Sequence, residues 1–147
     1  MRAETLLPIA RKRLVTVSFK DPLTVAADRL SRDDTNVIVV CDEDNAMVGI
    51  VSKTDIVARI GQCRGHACTT MVASVMTQDV VSCSPDDAIR SVWTRMKEKG
   101  HLYVPIADRE GHPLGTLHVR DVLQSLLLEV EHEEDLLRDY VMGIGYR

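Results

Sequence analysis

Aromatic side chains are scarce in this sequence, at 3% of its 147 residues, so the core must be built mainly from Val, Leu, Ile and Met. Long apolar runs are missing too: none approaches the length of a membrane-spanning helix, and no signal peptide opens the chain. Hydrophobic residues still make up 45% of a length that suits one compact domain with a substantial core. We therefore expect a globular cytoplasmic protein without a membrane partner.

Basic charge is equally limited. The formal net charge is −4, and the only basic block is Arg11-Lys12-Arg13. Because contacts to phosphates need a basic face, we expect no binding of nucleic acid. The four cysteines occur without a secretory signal, which indicates a reducing compartment.

Motifs of catalysis are absent from the sequence. It contains no Ser-His-Asp constellation, no Walker loop and no Rossmann glycine pattern. Acidic pairs such as Glu133-Glu134 fall on the solvated face of a predicted helix, where they are not placed for acid–base chemistry. We therefore expect no enzymatic activity.

What the chain does contain is a repeat. The segment Gly49 to Asp55 has the pattern of a buried strand that turns into a helix, and Gly115 to Asp121 has the same pattern. The two segments are 66 residues apart, and at that offset the alignment needs no gap from Val15 to Val57. Such self-similarity indicates one supersecondary unit used twice, each copy too small to bury its own faces.

Each copy predicts the element order β-α-β-β-α, and the pair predicts an α+β fold, a mixed α/β sandwich. The first copy has predicted strands at Val15–Val17, Val37–Cys41 and Val48–Val51, a helix capped by Asp21 with Pro22 at its first position, and a helix with Ile56, Val57 and Ile60 on one side. The second copy has predicted strands at Val80–Cys83, Leu102–Ala107 and Leu114–Val119, a helix from the capping box Ser84–Asp87 to Gly100, and a final helix expected to fray at Gly143–Gly145.

The offset also pairs Leu6 with Val72, so the first repeat is expected to span residues 6–62. A stretch rich in Gly, Cys and Thr follows, and residues 63–73 are predicted to be a linker. The second repeat is expected at 74–131, and residues 132–147 are expected to form a C-terminal helix extension and tail.

The sequence resembles the CBS-domain family, the tandem modules named after cystathionine beta-synthase. The resemblance rests on the element order, on the opening Val75-Met76-Thr77, on Tyr103 to Asp108 of the second predicted strand, and on the ending Gly-x-x-Ser/Thr-x-x-Asp at Gly49 to Asp55. It implies that the two motifs pair across their sheets and bind adenine nucleotides in the clefts between them. It also implies a non-catalytic regulatory role, of the stand-alone type that bacteria contain.

In this family the Asp of the ending accepts hydrogen bonds from ribose hydroxyls, the preceding Ser/Thr faces phosphate, and the Pro-containing strand of the other motif holds the base. The resemblance therefore implies one cleft with these five residues: Ser52, Asp55, Leu102, Tyr103 and Pro105. The implied ligands are AMP, ADP or ATP, with NAD and S-adenosylmethionine as further candidates, and no cofactor is obligatory.

The second cleft implied by the resemblance uses Asp121 with Asn36 and Val37. It departs from the family pattern, because His118 replaces the Ser/Thr and Val39 replaces the Pro of the first repeat. His118 and Arg120 remain candidates to donate hydrogen bonds to a phosphate there.

Other interpretations stay open. Ser52-x-x-Asp55 is also close to an ordinary capping box. The chain is alternatively a ligand-free module that docks a protein through its sheets and acidic C-terminal helix, or a thiol or metal sensor built on Cys63, His66 and Cys68. Four residues between the two cysteines is loose spacing for zinc, so we expect no metal site.

Two kinds of protein partner are expected. Apolar helix faces around Ile56, Val57, Leu123 and Leu127 predict a homodimer, because two short repeats cannot cover them. A regulatory module also needs an effector protein, which the sequence does not identify.

Overall fold

Two small β-sheets, one in each repeat, form the framework of the molecule. The computed structural model describes residues 1–33, 35–62 and 70–145, the last three as backbone only. Five strands are formed in these ranges: β1 (Thr16–Ser18), β2 (Val37–Cys41), β3 (Met47–Ser52), β4 (Tyr103–Ala107) and β5 (Pro113–His118). Five α-helices accompany them: α1 (Leu7–Arg13), α2 (Leu23–Arg32), α3 (Lys53–Gln62), α4 (Ile89–Lys99) and α5 (Val119–Gly145). The predicted α+β class is confirmed.

The first repeat has the predicted β-α-β-β-α order. Strand β1 is parallel to β2, and β2 is antiparallel to β3, so β2 lies in the centre of a three-stranded sheet. Residues 38–41 of β2 are all buried, as its unbroken β-branched run predicts. The sheet ends at Ser52, where the chain turns directly into α3.

The second repeat lacks its predicted first strand at Val80–Cys83. Strands β4 and β5 form an antiparallel pair, and only Cys83 adds a single parallel bridge, to Ile106. The backbone groups of this stretch are engaged elsewhere. The N–H of Val80 bonds to the carbonyl of Gln78 at 3.0 Å in a tight turn, and the Arg95 guanidinium donates to the Ser82 carbonyl at 3.1 Å.

Two helices start later than predicted, α2 by one residue and α4 by four. Helix α2 begins after Pro22, and the Asp21 carboxylate accepts the N–H of Ser18 at 3.1 Å instead of capping the helix. The Ser84–Asp87 box likewise precedes α4 and closes the turn before it. The predicted end of α4 is confirmed at Gly100, which has a left-handed φ of 69° that glycine adopts without strain.

The opening segment of each repeat packs against the other repeat. Buried Ala3 and Ala10, at the N-terminus, belong to the hydrophobic core formed by α4, β4, β5 and α5. Buried Val72, by contrast, belongs to the core of the first repeat, and Met76 packs against that core. This exchange of segments joins the two repeats, and it brings residues 1–13 into contact with the second one.

Helix α5 extends well beyond the two sheets. Its 27 residues span about 40 Å at 1.5 Å per residue, and every residue from 131 to 142 is exposed. Its backbone is helical through Gly145, so the expected fraying from Gly143 is not seen. No helix in the described ranges has both the length and the apolar character needed to cross a membrane.

Candidate functional site

A cavity of about 450 Å³ opens between the two repeats. The first repeat supplies the start of β2 and the junction of β3 with α3, and the second supplies the segments 77–81 and 100–103. Its lining comprises Asn36, Val37, Ile50, Ser52, Lys53, Thr54, Asp55, Thr77, Asp79, Val80, Val81, Gly100, His101, Leu102 and Tyr103. The volume lies within the usual range for small-molecule sites.

Ser52 and Asp55 form a reciprocal pair at the start of α3. The Asp55 carboxylate accepts the N–H of Ser52 at 2.9 Å, and the Ser52 hydroxyl accepts the N–H of Asp55 at 3.1 Å. The predicted capping box is therefore formed, and it fixes Asp55 at the cavity wall beside the positive end of the helix dipole. In the described part of the chain, only one carboxylate oxygen of Asp55 is engaged.

Four of the remaining predicted site residues line this same cavity. Leu102 and Tyr103 lie on the second repeat, as predicted. Asn36 and Val37 also line it, although the sequence assigned them to the cleft of Asp121, which is not among the lining residues. The Asn36 amide donates to the Tyr103 hydroxyl at 3.1 Å, so the starts of β2 and β4 meet at one site.

Pro105 does not line the cavity. It is buried in the middle of β4, where its carbonyl accepts the N–H of Cys83 at 3.0 Å. The prediction that Pro105 belongs to the site is therefore wrong, because Pro105 lies in the middle of the strand and not at the end that borders the cavity.

The carboxylate of Asp121 is already occupied. The Arg13 guanidinium binds it in a bidentate fashion, at 2.9 Å from Nε to Oδ2 and 3.1 Å from Nη2 to Oδ1. Oδ2 also accepts the N–H of His118 at 3.3 Å. Asp121 is only 6% exposed, and sequence reasoning did not anticipate Arg13 as its partner.

His118 is not placed to be a cationic phosphate ligand. Burial lowers the pKa of its imidazole, and the positive charge of Arg13 lowers it further, against a smaller opposing effect of Asp121. Nδ1 accepts the backbone N–H of Arg120 at 2.9 Å, which requires the neutral ring. The ring also packs edge-on against Tyr103, with centroids 4.7 Å apart. The Arg120 side chain is exposed.

The titratable lining of the cavity includes two residues that were not predicted. Asp79 and His101 join Asp55 and Lys53, so the site holds two carboxylates against one lysine. The sequence offered no signal for Asp79: the 66-residue offset pairs it with Arg13, which was not predicted to belong to a site either.

The linker residues Cys63, His66 and Cys68 lie outside the described residues. Cys41, in β2, and Cys83, which forms only a bridge to β4, are buried free thiols. Burial, assisted by the negative charge of Asp87, raises the pKa of Cys83 to about 12, so its thiol is unreactive.

Comparison with known proteins identifies both repeats. A family model described as CBS domain matches residues 7–62 and 72–128. The uncharacterized protein MK0525 of Methanopyrus kandleri is 23% identical over 84% of the chain, which spans 63% of that protein's length.

Two solved structures share the fold. The CBS domain pair of protein MJ0100, in complex with methylthioadenosine and S-adenosyl-L-methionine, has a TM-score of 0.73 and 20% identity over 88% of this chain and 98% of that one. The cytosolic domain of the Mg²⁺ channel MgtE, in complex with ATP, has a TM-score of 0.67 and 25% identity over 78% of this chain and 45% of that one. The match of the family model to both repeats, together with the exchanged opening segments, shows that this chain belongs to the CBS-domain family, as a tandem pair.

Proposed function

We propose that this CBS pair binds an adenosine-derived small molecule in the cavity beside Asp55, and that occupancy of the cavity regulates a partner protein. The observation that carries the proposal is the position of Asp55. Its carboxylate lies at the wall of a 450 Å³ cavity, and only one of its oxygens is engaged by the described residues. Vicinal hydroxyls of a ribose are suitable donors to such a carboxylate.

The rest of the lining complements a nucleoside. Val37, Leu102 and Tyr103 supply apolar and aromatic surface for a base, and Asn36 adds an amide. The first turn of α3 adds the polar residues Lys53 and Thr54 to the lining.

Charge favours a ligand with little negative charge. Asp55 and Asp79 outnumber Lys53 among the fully charged lining residues at neutral pH, so a polyphosphate would meet like charge. Among the ligands considered, S-adenosylmethionine and methylthioadenosine are therefore favoured over ADP, ATP and NAD. The fold shared with MJ0100, whose complex holds those two compounds, supports the same choice.

The output of the proposed sensor is a protein contact. Ligand that binds between the repeats stabilises one arrangement of their packing, and an effector protein binds that arrangement with a different affinity. The exposed C-terminal half of α5, residues 131–142, carries both acidic and apolar side chains and is a candidate surface for the effector. The same surface also favours the alternative function, a ligand-free docking module.

Calorimetric titration tests the proposal. Protein freed of co-purified small molecules is titrated with methylthioadenosine, S-adenosylmethionine, AMP, ADP, ATP and NAD in turn. Bonds to a charged acceptor contribute on the order of 1.5–3 kcal/mol each. Asp55→Ala should therefore weaken binding roughly tenfold to a hundredfold. Ligand at about a hundred times its Kd should stabilise the wild-type fold by about 2.7 kcal/mol.

Asp21→Ala is the matched control. Asp21 accepts the N–H of Ser18 at 3.1 Å, three residues earlier, much as Asp55 accepts the N–H of Ser52, but it lies outside the cavity. The control should lose local stability and keep its affinity. If no compound of the panel binds at millimolar concentration, the sensor proposal fails and the docking module takes its place.

A further inference from the structure

The surroundings of Asp55 and Asp121 are built from equivalent parts that have different secondary structure at one point. Met76 packs on Gly49, and Ala10 packs on Gly115. The two contacts are equivalent, because Gly115 follows Gly49 by 66 residues and Met76 follows Ala10 by the same 66 residues. Beyond Met76 the chain is extended only at Thr77, which pairs with Ile50 through hydrogen bonds of 2.8 and 3.0 Å, before it turns at Gln78. Beyond Ala10 it stays helical to the end of α1 at Arg13.

This difference places opposite charges at equivalent positions. Asp79 follows the extended segment and lines the open cavity beside Asp55. Its equivalent, Arg13, is the last residue of α1 and forms the bidentate ion pair with Asp121. The close packing of Ala10 on Gly115 holds the helix against β5 and so fixes the approach of Arg13.

The ion pair occupies the acceptor that a ribose would need. Both oxygens of Asp121 are engaged by Arg13, and the residue is 6% exposed, whereas Asp55 is half-buried at the cavity wall. A neutral ribose hydroxyl would have to displace a bidentate ion pair and would leave the part-buried Arg13 guanidinium without its carboxylate partner. The neutral His118 beside the pair supplies no compensating cation.

We infer that Arg13 closes the second cleft to nucleosides, so that each chain binds one ligand, in the cavity beside Asp55. The inference rests on the proposed function, and it makes Arg13 the residue that sets the number of sites. It follows that the two equivalent positions have diverged. Asp55 still has a carboxylate oxygen to accept a hydrogen bond from a ligand, and Asp121 is paired with Arg13 of the same chain.

Calorimetric stoichiometry with methylthioadenosine as the probe tests the inference. Wild-type protein should bind one equivalent per chain, Asp55→Ala should weaken this event roughly tenfold to a hundredfold, and Asp121→Asn should leave it unchanged. Arg13→Met keeps an unbranched side chain of good helix propensity but removes the guanidinium, so it should add a second, weaker equivalent. That second event should disappear in the Arg13→Met/Asp121→Asn double variant.

The outcomes separate the inference from the proposed function. Two equivalents in the wild type, one lost in Asp55→Ala and the other in Asp121→Asn, would overturn the closure by Arg13 and leave adenosine binding intact. A folded Arg13→Met protein with still one equivalent would overturn it as well. If Arg13→Met does not fold, the wild-type stoichiometry and the Asp121→Asn result decide alone. No binding by the wild type would overturn both.

Discussion

The sulfur of Met76 lies 2.6 Å from the position that a Cβ atom on Gly49 would occupy. The equivalent contact in the second repeat is between Gly115 and Ala10, where a Cβ would meet the Ala10 Cβ at 2.6 Å and its carbonyl carbon at 2.8 Å. In the first repeat the nearest obstacle is the end of a flexible side chain. In the second it is the backbone of α1, which cannot move aside without shifting the helix.

Substituting the two glycines should therefore have unequal effects. Overpacking of a well-filled core costs about 1–3 kcal/mol. Gly115→Ala should lose stability at the upper end of this range or beyond it, and Gly49→Ala should lose less, since Met76 can choose another rotamer. Urea denaturation of the purified variants measures the difference.

Gly61→Ala serves as the control for these substitutions. Gly61 lies in α3 with nothing within 4 Å of its added Cβ, so alanine should stabilise the protein by up to about 1 kcal/mol through its helix propensity. A Gly115→Ala protein as stable as Gly49→Ala would contradict the exchanged packing of α1.

Asp79 should set the charge preference of the cavity. Its carboxylate lines the site with Asp55, so Asp79→Asn removes one of two like charges that oppose a phosphate. We expect the variant to gain affinity for ATP relative to methylthioadenosine, by roughly threefold to tenfold for a partly screened interaction. Competition titrations at low and high salt measure the ratio. An unchanged ratio at low salt would show that Asp79 faces away from the bound ligand.

Local sequence patterns were enough to predict the repeated unit, the order of the elements in its first copy and the Ser52–Asp55 box. Each of these depends on residues close in sequence: a β-branched run for β2, a glycine that ends α4, and a reciprocal pair three residues apart. The same patterns failed at Asp21, because the carboxylate had a nearer donor in Ser18 than the helix it was expected to cap.

Contacts that join distant segments could not be predicted in this way. Arg13 and Asp121 are 108 residues apart, and neither the composition nor the spacing around Arg13 indicates that α1 packs on the second repeat. The placement of Asn36 beside Tyr103 has the same origin, since it depends on how the two sheets meet. The family resemblance supplied the two Asp positions but did not indicate that one of them is paired with an arginine.

His118 should make stability depend on pH. Burial, followed by the charge of Arg13, lowers its pKa in the folded protein, so the unfolded chain binds the proton more readily. The stabilising contribution of the neutral ring is complete above the unfolded pKa of about 6.5 and is lost as pH falls through the folded value. Protonation also ends the bond from the N–H of Arg120 to Nδ1.

Denaturation of the wild type and of His118→Asn between pH 8 and pH 5 tests this dependence. The wild type should lose stability more steeply than the variant as pH falls below about 6.5. Parallel curves over this range would contradict the lowered pKa.

The last prediction concerns self-association through helices α3 and α5. Val57 is 67% exposed and Leu127 is 63% exposed in the single chain, and Leu123 is 38% exposed. Ile56, which was expected on the same face, is buried within the first repeat instead. Leu123 and Leu127 leave apolar surface on successive turns of α5, and together with Val57 on α3 they favour an isologous two-fold contact, in which the same face of each copy covers the other.

Light scattering after gel filtration should therefore report twice the 16.4 kDa mass of the chain. Leu127→Lys should convert the protein to a monomer, because a charged group in the contact would be buried without a partner. Leu128→Lys is the matched control: Leu128 is also exposed, at 55%, but points about 100° away around the helix. The control should remain dimeric, since its lysine adds the same charge outside the contact. A wild-type monomer at micromolar concentration would contradict the prediction, and a control that dissociates like Leu127→Lys would place the contact on another face of α5.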